Sequence, residues 1–246
     1  MNFLRKPFLT SCKTALDLIY PRQCQMCGDM IRCQRFPFLC KECFEGSTRL
    51  EPPWCHICAL PWYGKIDGAA ACPNCSSQEL HFDYARAVMR FRGVVRRAIH
   101  GFKYLRQTYW SRVLSFWLLE GSPFRFDFVE VDMLIPVPLH SVRERERGFN
   151  QAWVLFSPLA KQWKIPAYRW GLMRVRETET QTHLDREERM QNLRGAFRVR
   201  VPKLVSGKRV LLVDDVLTTG ATVNECGRVL REAGAASVLV FTLARG

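Results

Sequence analysis

Residues 209–223, R-V-L-L-V-D-D-V-L-T-T-G-A-T-V, leave this chain few folds to choose from. The apolar run Val210–Val213 has strand composition, and Asp214 and Asp215 follow it at once. Thr218, Thr219 and Gly220 come next, and a helical pattern starts near Ala221 and runs to about Ala233. Strand, acidic pair, small-residue loop and helix, in that order, describe the carboxyl end of a strand in an open α/β sheet, which is where such sheets bind ligands. A loop of small residues entering a helix N-terminus presents backbone N–H groups to an anion. Thr218, Thr219 and Thr222 add hydroxyl donors around Gly220 and Ala221. Two carboxylates do not sit comfortably against bare phosphate. They suit a ligand that places hydroxyls or a metal between carboxylate and phosphate, and a ribose 5-phosphate unit does so. The loop takes the phosphate, and Asp214 and Asp215 accept hydrogen bonds from the ribose hydroxyls. The order is not that of the G-x-x-x-x-G-K-[ST] phosphate loop. The plainer reading, an acidic turn capping an ordinary helix, leaves the fixed order of these residues unexplained.

The other strong constraint is cysteine. Of 11 cysteines, ten precede residue 76, and eight of those form four C-x-x-C pairs: Cys24/Cys27, Cys40/Cys43, Cys55/Cys58 and Cys72/Cys75. This clustering reads as metal rather than as a disulfide scaffold, and so as a reducing, cytoplasmic compartment. Each C-x-x-C turn supplies two thiolates, and two turns complete a zinc tetrahedron with no open position, so the zinc, one ion or two, is structural. Sequential sites (24, 27, 40, 43 and 55, 58, 72, 75) are the first expectation. A cross-braced pairing and a redox-dithiol reading stay open. A region this small buries little core, so metal supplies much of its folding energy. Cys12 and Cys33 are left over and read as small buried hydrophobes.

The formal net charge is +14, from 37 basic and 23 acidic side chains. That balance favours anionic partners without choosing among them. No apolar run reaches 18 residues, so no membrane span is expected. Residues 1–19 read as an amphipathic helical segment, residues 20–80 as the zinc region and residues 81–246 as the α/β domain. Between Arg86 and Arg112 the basic residues include Arg90, Arg92, Arg96, Arg97 and Arg106, with no acidic residue among them and with Tyr104, Tyr109 and Trp110 interleaved. Such a stretch can track a phosphate backbone and stack bases, as single-stranded DNA requires. The alternative is a solvated basic face over an aromatic core. Strands are expected at 81–86 and 88–91, then a helical stretch from Val94 to Leu119 interrupted near Gly101.

Further on, Phe128–Pro138 contains a strand that Pro136 and Pro138 bring to an end, with Val137 between them. Arg143, Arg145 and Arg147 follow in what reads as a loop, where guanidinium groups can neutralise a polyphosphate. Gly148 allows a tight approach, and Asn150 begins a helix that runs to about Gln162. The polar segment 178–197, with Gln181, Arg186, Arg189 and Asn192, suits a hood that closes over ligand. No hydrolase triad and no catalytic-metal histidine pattern is present, and His100, His140 and His183 read as ordinary surface or loop residues.

Taken together, I-P-V-P-L-H, R-G-F-N-Q, T-x-T-Q, R-x-x-N-L-R-G-A-F and L-L-V-D-D-V-L-T-T-G-A-T resemble the ComF family, as does the cysteine region before them. The resemblance covers residues 20–246. It implies a type I phosphoribosyltransferase-like parallel sheet with helices on both faces, preceded by a double zinc ribbon, in a cytosolic bacterial protein of natural competence or DNA utilisation. It also implies single-stranded DNA, a competence helicase and recombination proteins as partners. Residue by residue, it maps Asp214, Asp215 and Thr218–Thr222 onto a loop for the ribose phosphate of phosphoribosyl pyrophosphate, and Pro136–Pro138 onto the pyrophosphate loop. Arg147–Gln151 and Gln181–Asn192 fall in motifs of less settled role. If the chain is an enzyme, magnesium bridges ligand oxygens, Asp214 and Asp215 hold the ring, and Lys103 and Arg147 stabilise the departing pyrophosphate. The competing reading is a non-catalytic nucleic-acid adaptor to a helicase.

Overall fold

A computed structural model describes residues 22–31, 38–62, 71–121, 131–177 and 191–246. The chain divides into two compact units, Met1–Gly46 and Ser47–Gly246.

In the first unit the turn at Cys24–Cys27 is closed by Gly28 N–H donating to the Cys24 carbonyl at 2.9 Å. Gly28 has φ +83°, a left-handed value that glycine adopts without penalty. The short helix α1, Lys41–Glu45, is capped by the Cys40 sulphur, which accepts from the Cys43 N–H.

The second unit is organised by a four-stranded parallel sheet. Its strands are β1 (Tyr84–Arg90), β2 (Met133–Pro136), β5 (Arg209–Leu217) and β6 (Ser237–Arg245), in the order β1-β6-β5-β2. The central strands β5 and β6 are apolar on both faces, as parallel strands between helix layers must be. Helix α8 (Ala221–Glu232) buries Val223, Cys226, Val229 and Leu230 in one core with Val210, Leu212, Val238 and Val240. Phe241 faces the other way, against Phe156 and Trp163 of helix α6 (Gln151–Trp163). Helices α3 (Gly93–Tyr104) and α4 (Trp110–Gly121) follow β1, and α4 packs beside α6. A small antiparallel pair, β3 (Leu172–Arg174) with β4 (Phe197–Val199), adds Leu172 and Phe197 to the α8 side. The remaining helices α2 (Pro73–Ser76), α5 (Ser141–Arg147) and α7 (Pro202–Val205) are short.

Neither edge of the sheet is bare. Along β1, Leu50 donates to Val88, Arg90 to Thr48 and Ala85 to Ile57, so residues 48–57 cover it. Along β2, Leu134 donates to Pro166 and Tyr168 donates back to Leu134. Covered edges cannot template pairing with another chain. No helix among the described residues is long and apolar enough to cross a membrane.

Three local expectations are corrected. The strand that carries the acidic pair does not stop at Val213. It runs to Leu217, because β6 is long enough to pair with it throughout (Asp214 opposite Thr242, Leu217 opposite Arg245). The break after β1 falls beyond Tyr104, and Gly101 lies inside α3. A Cβ at Gly101 would meet Gln107 Oε1 at 2.3 Å and Trp110 Nε1 at 2.9 Å, so glycine is there to let the following turn close on the helix. Residues 141–147 form a helix rather than a loop, ended by Gly148 at φ +86°.

Candidate functional site

The carboxyl ends of β1, β2 and β5 open onto a cavity of about 290 Å³. Its floor is the end of β5. The Asp215 side chain is buried and its Oδ2 lies 2.5 Å from Lys103 Nζ, which α3 delivers from across the sheet. Asp215 Oδ1 accepts from Gln151 Nε2 at 3.4 Å, and Gln151 Oε1 in turn accepts from Arg147 at 2.5 Å. Asp214 Oδ1 accepts the Asp215 N–H at 2.8 Å.

Burial and the neighbouring Asp215 charge push the Asp214 carboxyl well above the usual carboxylate range. Burial also opposes ionisation of Asp215, but the Lys103 ammonium, the hydrogen bond with Asp214 and the Arg147 charge hold it below that range. Lys103 is disfavoured as a cation by burial, yet Asp215 and Asp214 raise it overall. The floor therefore pairs Asp214, whose ionisation burial and Asp215 oppose, with Asp215, whose charge Lys103 neutralises.

Around this floor stand two walls whose groups suit an anion. One is the loop Thr218–Gly220, which turns into α8 at Gly220 (φ +85°), with Thr218 and Thr222 on the cavity surface and Ala221 N–H approaching Thr219 Oγ1 at 3.4 Å. The first N–H groups of a helix lack intrahelical acceptors and point toward an anion placed there. The other wall is the turn after Pro136 together with α5. Val137 N–H donates to Val213, and the Val137 carbonyl accepts from Asn150 Nδ2 at 3.0 Å while Asn150 Oδ1 caps α6. Asn150 thus fixes both the turn and the helix that carries Gln151. Arg143 and Arg147 sit four residues apart on one face of α5, and both line the cavity with Val137 and Pro138. Arg145 is exposed, since alternate positions on a helix do not share a face.

Several cavity residues were missed in the sequence. Arg174 reaches the cavity from β3, and burial lowers its guanidinium pKa. Glu177 follows it. His140 lines the wall with its Nδ1 buried and without a partner among the described residues. Tyr104 stands at the mouth, 59% exposed, with the Arg147 guanidinium 5.4 Å from its ring centre. His140 ends the I-P-V-P-L-H motif, a signal that pointed to it, whereas only the fold brings in Arg174 and Glu177. Of the hood residues, the Asn192 carbonyl accepts from Arg176 at 2.6 Å, and Gln181, Arg186 and Arg189 lie outside the described residues. The basic residues Arg96 and Arg97 occupy the solvent face of α3, opposite Val95, Ala98 and Ile99, and Arg92 is exposed at its N-cap. Arg90 ends β1, and Arg106 donates to the Glu146 carbonyl at 3.5 Å.

The cysteines form two quartets, 24/27/40/43 and 55/58/72/75, so the pairing is sequential and not cross-braced. All eight are free thiols, with sulphur separations of 3.6 Å (27–40), 3.5 Å (58–72), 3.6 Å (72–75) and 3.8 Å (55–75). A tetrahedral zinc with Zn–S of about 2.3 Å requires sulphur–sulphur edges of about 3.8 Å. Both quartets thus have the geometry of structural zinc sites. The second quartet is buried within the larger unit.

Over 213 residues the chain is 35% identical to Competence protein F of Haemophilus influenzae, an alignment that spans 84% of this chain and 90% of that protein. The chain belongs to the ComF family. Other ComF relatives include DNA utilization protein YhgH of Salmonella typhimurium, 31% identical over 93% of this chain and 99% of that one. Competence protein ComFC of Bacillus subtilis is 29% identical over 83% of this chain and 84% of its own length. Within this ComF chain, residues 151–246 match the phosphoribosyl transferase domain and residues 15–76 match the double zinc ribbon domain. The cavity floor, the loop and α8 all lie in the first match. Lys103, Pro136–Pro138, Arg143 and Arg147 lie before it.

Proposed function

We propose that this ComF protein binds phosphoribosyl pyrophosphate with magnesium in the cavity at the end of β5. The observation that carries the reading is the cavity's division of labour. An acidic floor, held by Lys103, lies between a helix-N-terminal loop on one side and the Val137 turn with Arg143 and Arg147 on the other. A phosphate goes to the loop, a diol to Asp214 and Asp215, and a pyrophosphate to the turn and the arginines. Asp214 and Asp215 both line the cavity and can accept from ribose hydroxyls. The two carboxylates are hard oxygen donors, and together with ligand oxygens and water they suit magnesium. Where transfer occurs, the C1–oxygen bond to pyrophosphate breaks as a nucleophile bonds to C1, and Lys103, Arg143 and Arg147 stabilise the charge on the leaving pyrophosphate. No covalent protein nucleophile is needed, because pyrophosphate already leaves readily.

The names of the relatives support a role for this activity in the handling of DNA during competence, and the free thiols of both quartets suit a reducing cytoplasm. A second reading, binding of single-stranded DNA alongside a helicase, is supported by the solvent face of α3, where Arg96 and Arg97 are exposed, and by Arg92, exposed at its N-cap.

The test is calorimetric titration of phosphoribosyl pyrophosphate and magnesium into the zinc-loaded chain and its D214N/D215N variant. Asparagine is chosen over alanine so that Lys103 keeps a polar partner. The expected result is micromolar binding by the parent and at least a hundredfold weakening, about 3 kcal/mol, in the variant. Equal affinities in the two proteins would remove the site assignment, and no binding by the parent would favour the adaptor.

A further inference from the structure

Arg245, the last residue of β6, is 3% exposed. Its guanidinium donates to two places at once. Nε donates to the Cys58 carbonyl at 2.9 Å, and Nη2 approaches Cys58 Sγ at 3.6 Å. Nη1 donates to the carbonyls of Leu217 (2.9 Å), Thr218 (2.5 Å) and Gly246. Leu217 and Thr218 lead into the phosphate loop, and Cys58 belongs to the second cysteine quartet. No side-chain carboxylate accepts from Arg245 among the described residues. A buried cation is stabilised by each anion placed beside it. Four thiolates around one Zn²⁺ leave a net charge of about −2, which places an anion directly at Cys58.

A second tie runs between the same two regions. Asn224 of α8 is buried; its Oδ1 accepts the His81 N–H at 2.7 Å and its Nδ2 donates to the Glu79 carbonyl at 3.0 Å. The chain just after Cys75 is therefore docked on the helix that begins at the phosphate loop.

We propose that Arg245 is a positioning residue through which the metal-loaded second quartet holds the phosphate loop in its binding shape. With thiolates at the quartet, the guanidinium is pinned between Cys58 and the Leu217–Thr218 carbonyls. Without them, one end of the strut loses its anion, and the loop carbonyls lose a fixed donor. Metal content thereby sets loop order, and by reciprocity an anion in the loop reports at the metal. The consequence for sugar-phosphate affinity rests on the reading of the cavity given above. The strut itself does not.

The experiment uses the full chain, zinc-loaded or chelator-treated, as wild type, Arg245→Gln and Arg245→Lys. Amide hydrogen exchange at residues 217–222 is compared with that at residues 133–136 of β2, and the four-thiolate sites are read by the thiolate-to-metal band of the cobalt-substituted protein. In wild type, chelation is expected to speed exchange at 217–222 by about tenfold while leaving 133–136 unchanged. R245Q, with zinc content and circular dichroism like wild type, should show the fast loop even when loaded, no further change on chelation, and a shifted cobalt band from the lost N–H···S contact. R245K, which keeps the charge without the fork, should fall between. A wild-type loop indifferent to chelation overturns the proposal, as does a chelation effect of equal size in R245Q. The wild-type arm decides even if the glutamine variant fails to hold metal. Absence of phosphoribosyl pyrophosphate binding with the exchange pattern intact would instead remove the cavity reading and leave the strut standing.

Discussion

A buried carboxyl whose ionisation the fold opposes is a cost the protein carries for its site. Asp214 is in that position: burial and the charge of Asp215 raise its pKa, while Lys103 neutralises Asp215 alone. The sign follows from linkage. A folded pKa above the unfolded value means that the folded state binds the Asp214 proton more tightly. That contribution is present below the unfolded carboxylate pKa and is lost as pH rises through the raised value. Asp215, with its lowered pKa, behaves oppositely, contributing above the unfolded pKa and losing it only in acid. Asp214→Asn should therefore be more stable than wild type near neutral pH, by about 1 kcal/mol or more, with the gap closing in acid. The asparagine Oδ1 can still accept the Asp215 N–H. Urea denaturation at several pH values checks this, and a variant less stable than wild type at neutral pH would show that Asp214 is ionised in the resting site. The acidic pair was legible in the sequence because two adjacent carboxylates before T-T-G have few structural uses. The partnership of Asp215 with Lys103, Gln151 and Arg147 was not, since those residues are brought together from three helices.

At the scale of elements, the strands and helices follow from periodicity, and their ends follow from contacts. The apolar run Val210–Val213 announces β5, but its last residues are held by pairing to β6, which no local pattern contains. The arginines at 143, 145 and 147 look equivalent in a line of text, and the helix separates them into two that face the cavity and one that does not. The glycine in α8 is another case. Gly227 interrupts a helix at an energetic cost and has no turn to make. A Cβ there would lie 2.5 Å from the His81 carbonyl oxygen, a backbone atom that cannot step aside. Gly227→Ala is thus expected to push residues 79–81 off α8 and to destabilise the larger unit by about 1–3 kcal/mol, against the gain of roughly 1 kcal/mol that alanine brings to an open helical site. The check is chemical denaturation together with exchange at His81, whose N–H bond to Asn224 should open first. A stabilised variant would mean that the segment after the second quartet is not held to this helix.

At the scale of the whole molecule, a net charge of +14 is too large to be an accident of one site, and its distribution decides what it does. Part of it lines the cavity, as Lys103, Arg143, Arg147 and Arg174. Another part, Arg96 and Arg97 on α3 with Arg92 at its N-cap, faces solvent, with Val95, Ala98 and Ile99 buried behind the helix face. The same helix carries Lys103 into the cavity and Tyr104 to its mouth, so a strand lying on the basic face would run toward the site rather than away from it. Exposed arginines on such a face bind polyanions by displacing condensed counterions, and that signature separates DNA binding from ligand binding in the cavity. Arg96→Gln/Arg97→Gln should weaken single-stranded DNA of any sequence and lower the slope of log affinity against log salt by about 0.7 for each phosphate contact removed. Both residues are solvent-exposed, so the fold and the calorimetric binding of phosphoribosyl pyrophosphate should be untouched. A slope equal to that of wild type would assign the face to solvation. A slope that falls with a parallel loss of cavity binding would mean that the two anions compete for one surface, and the cavity would then be the place where the strand's own phosphates are read.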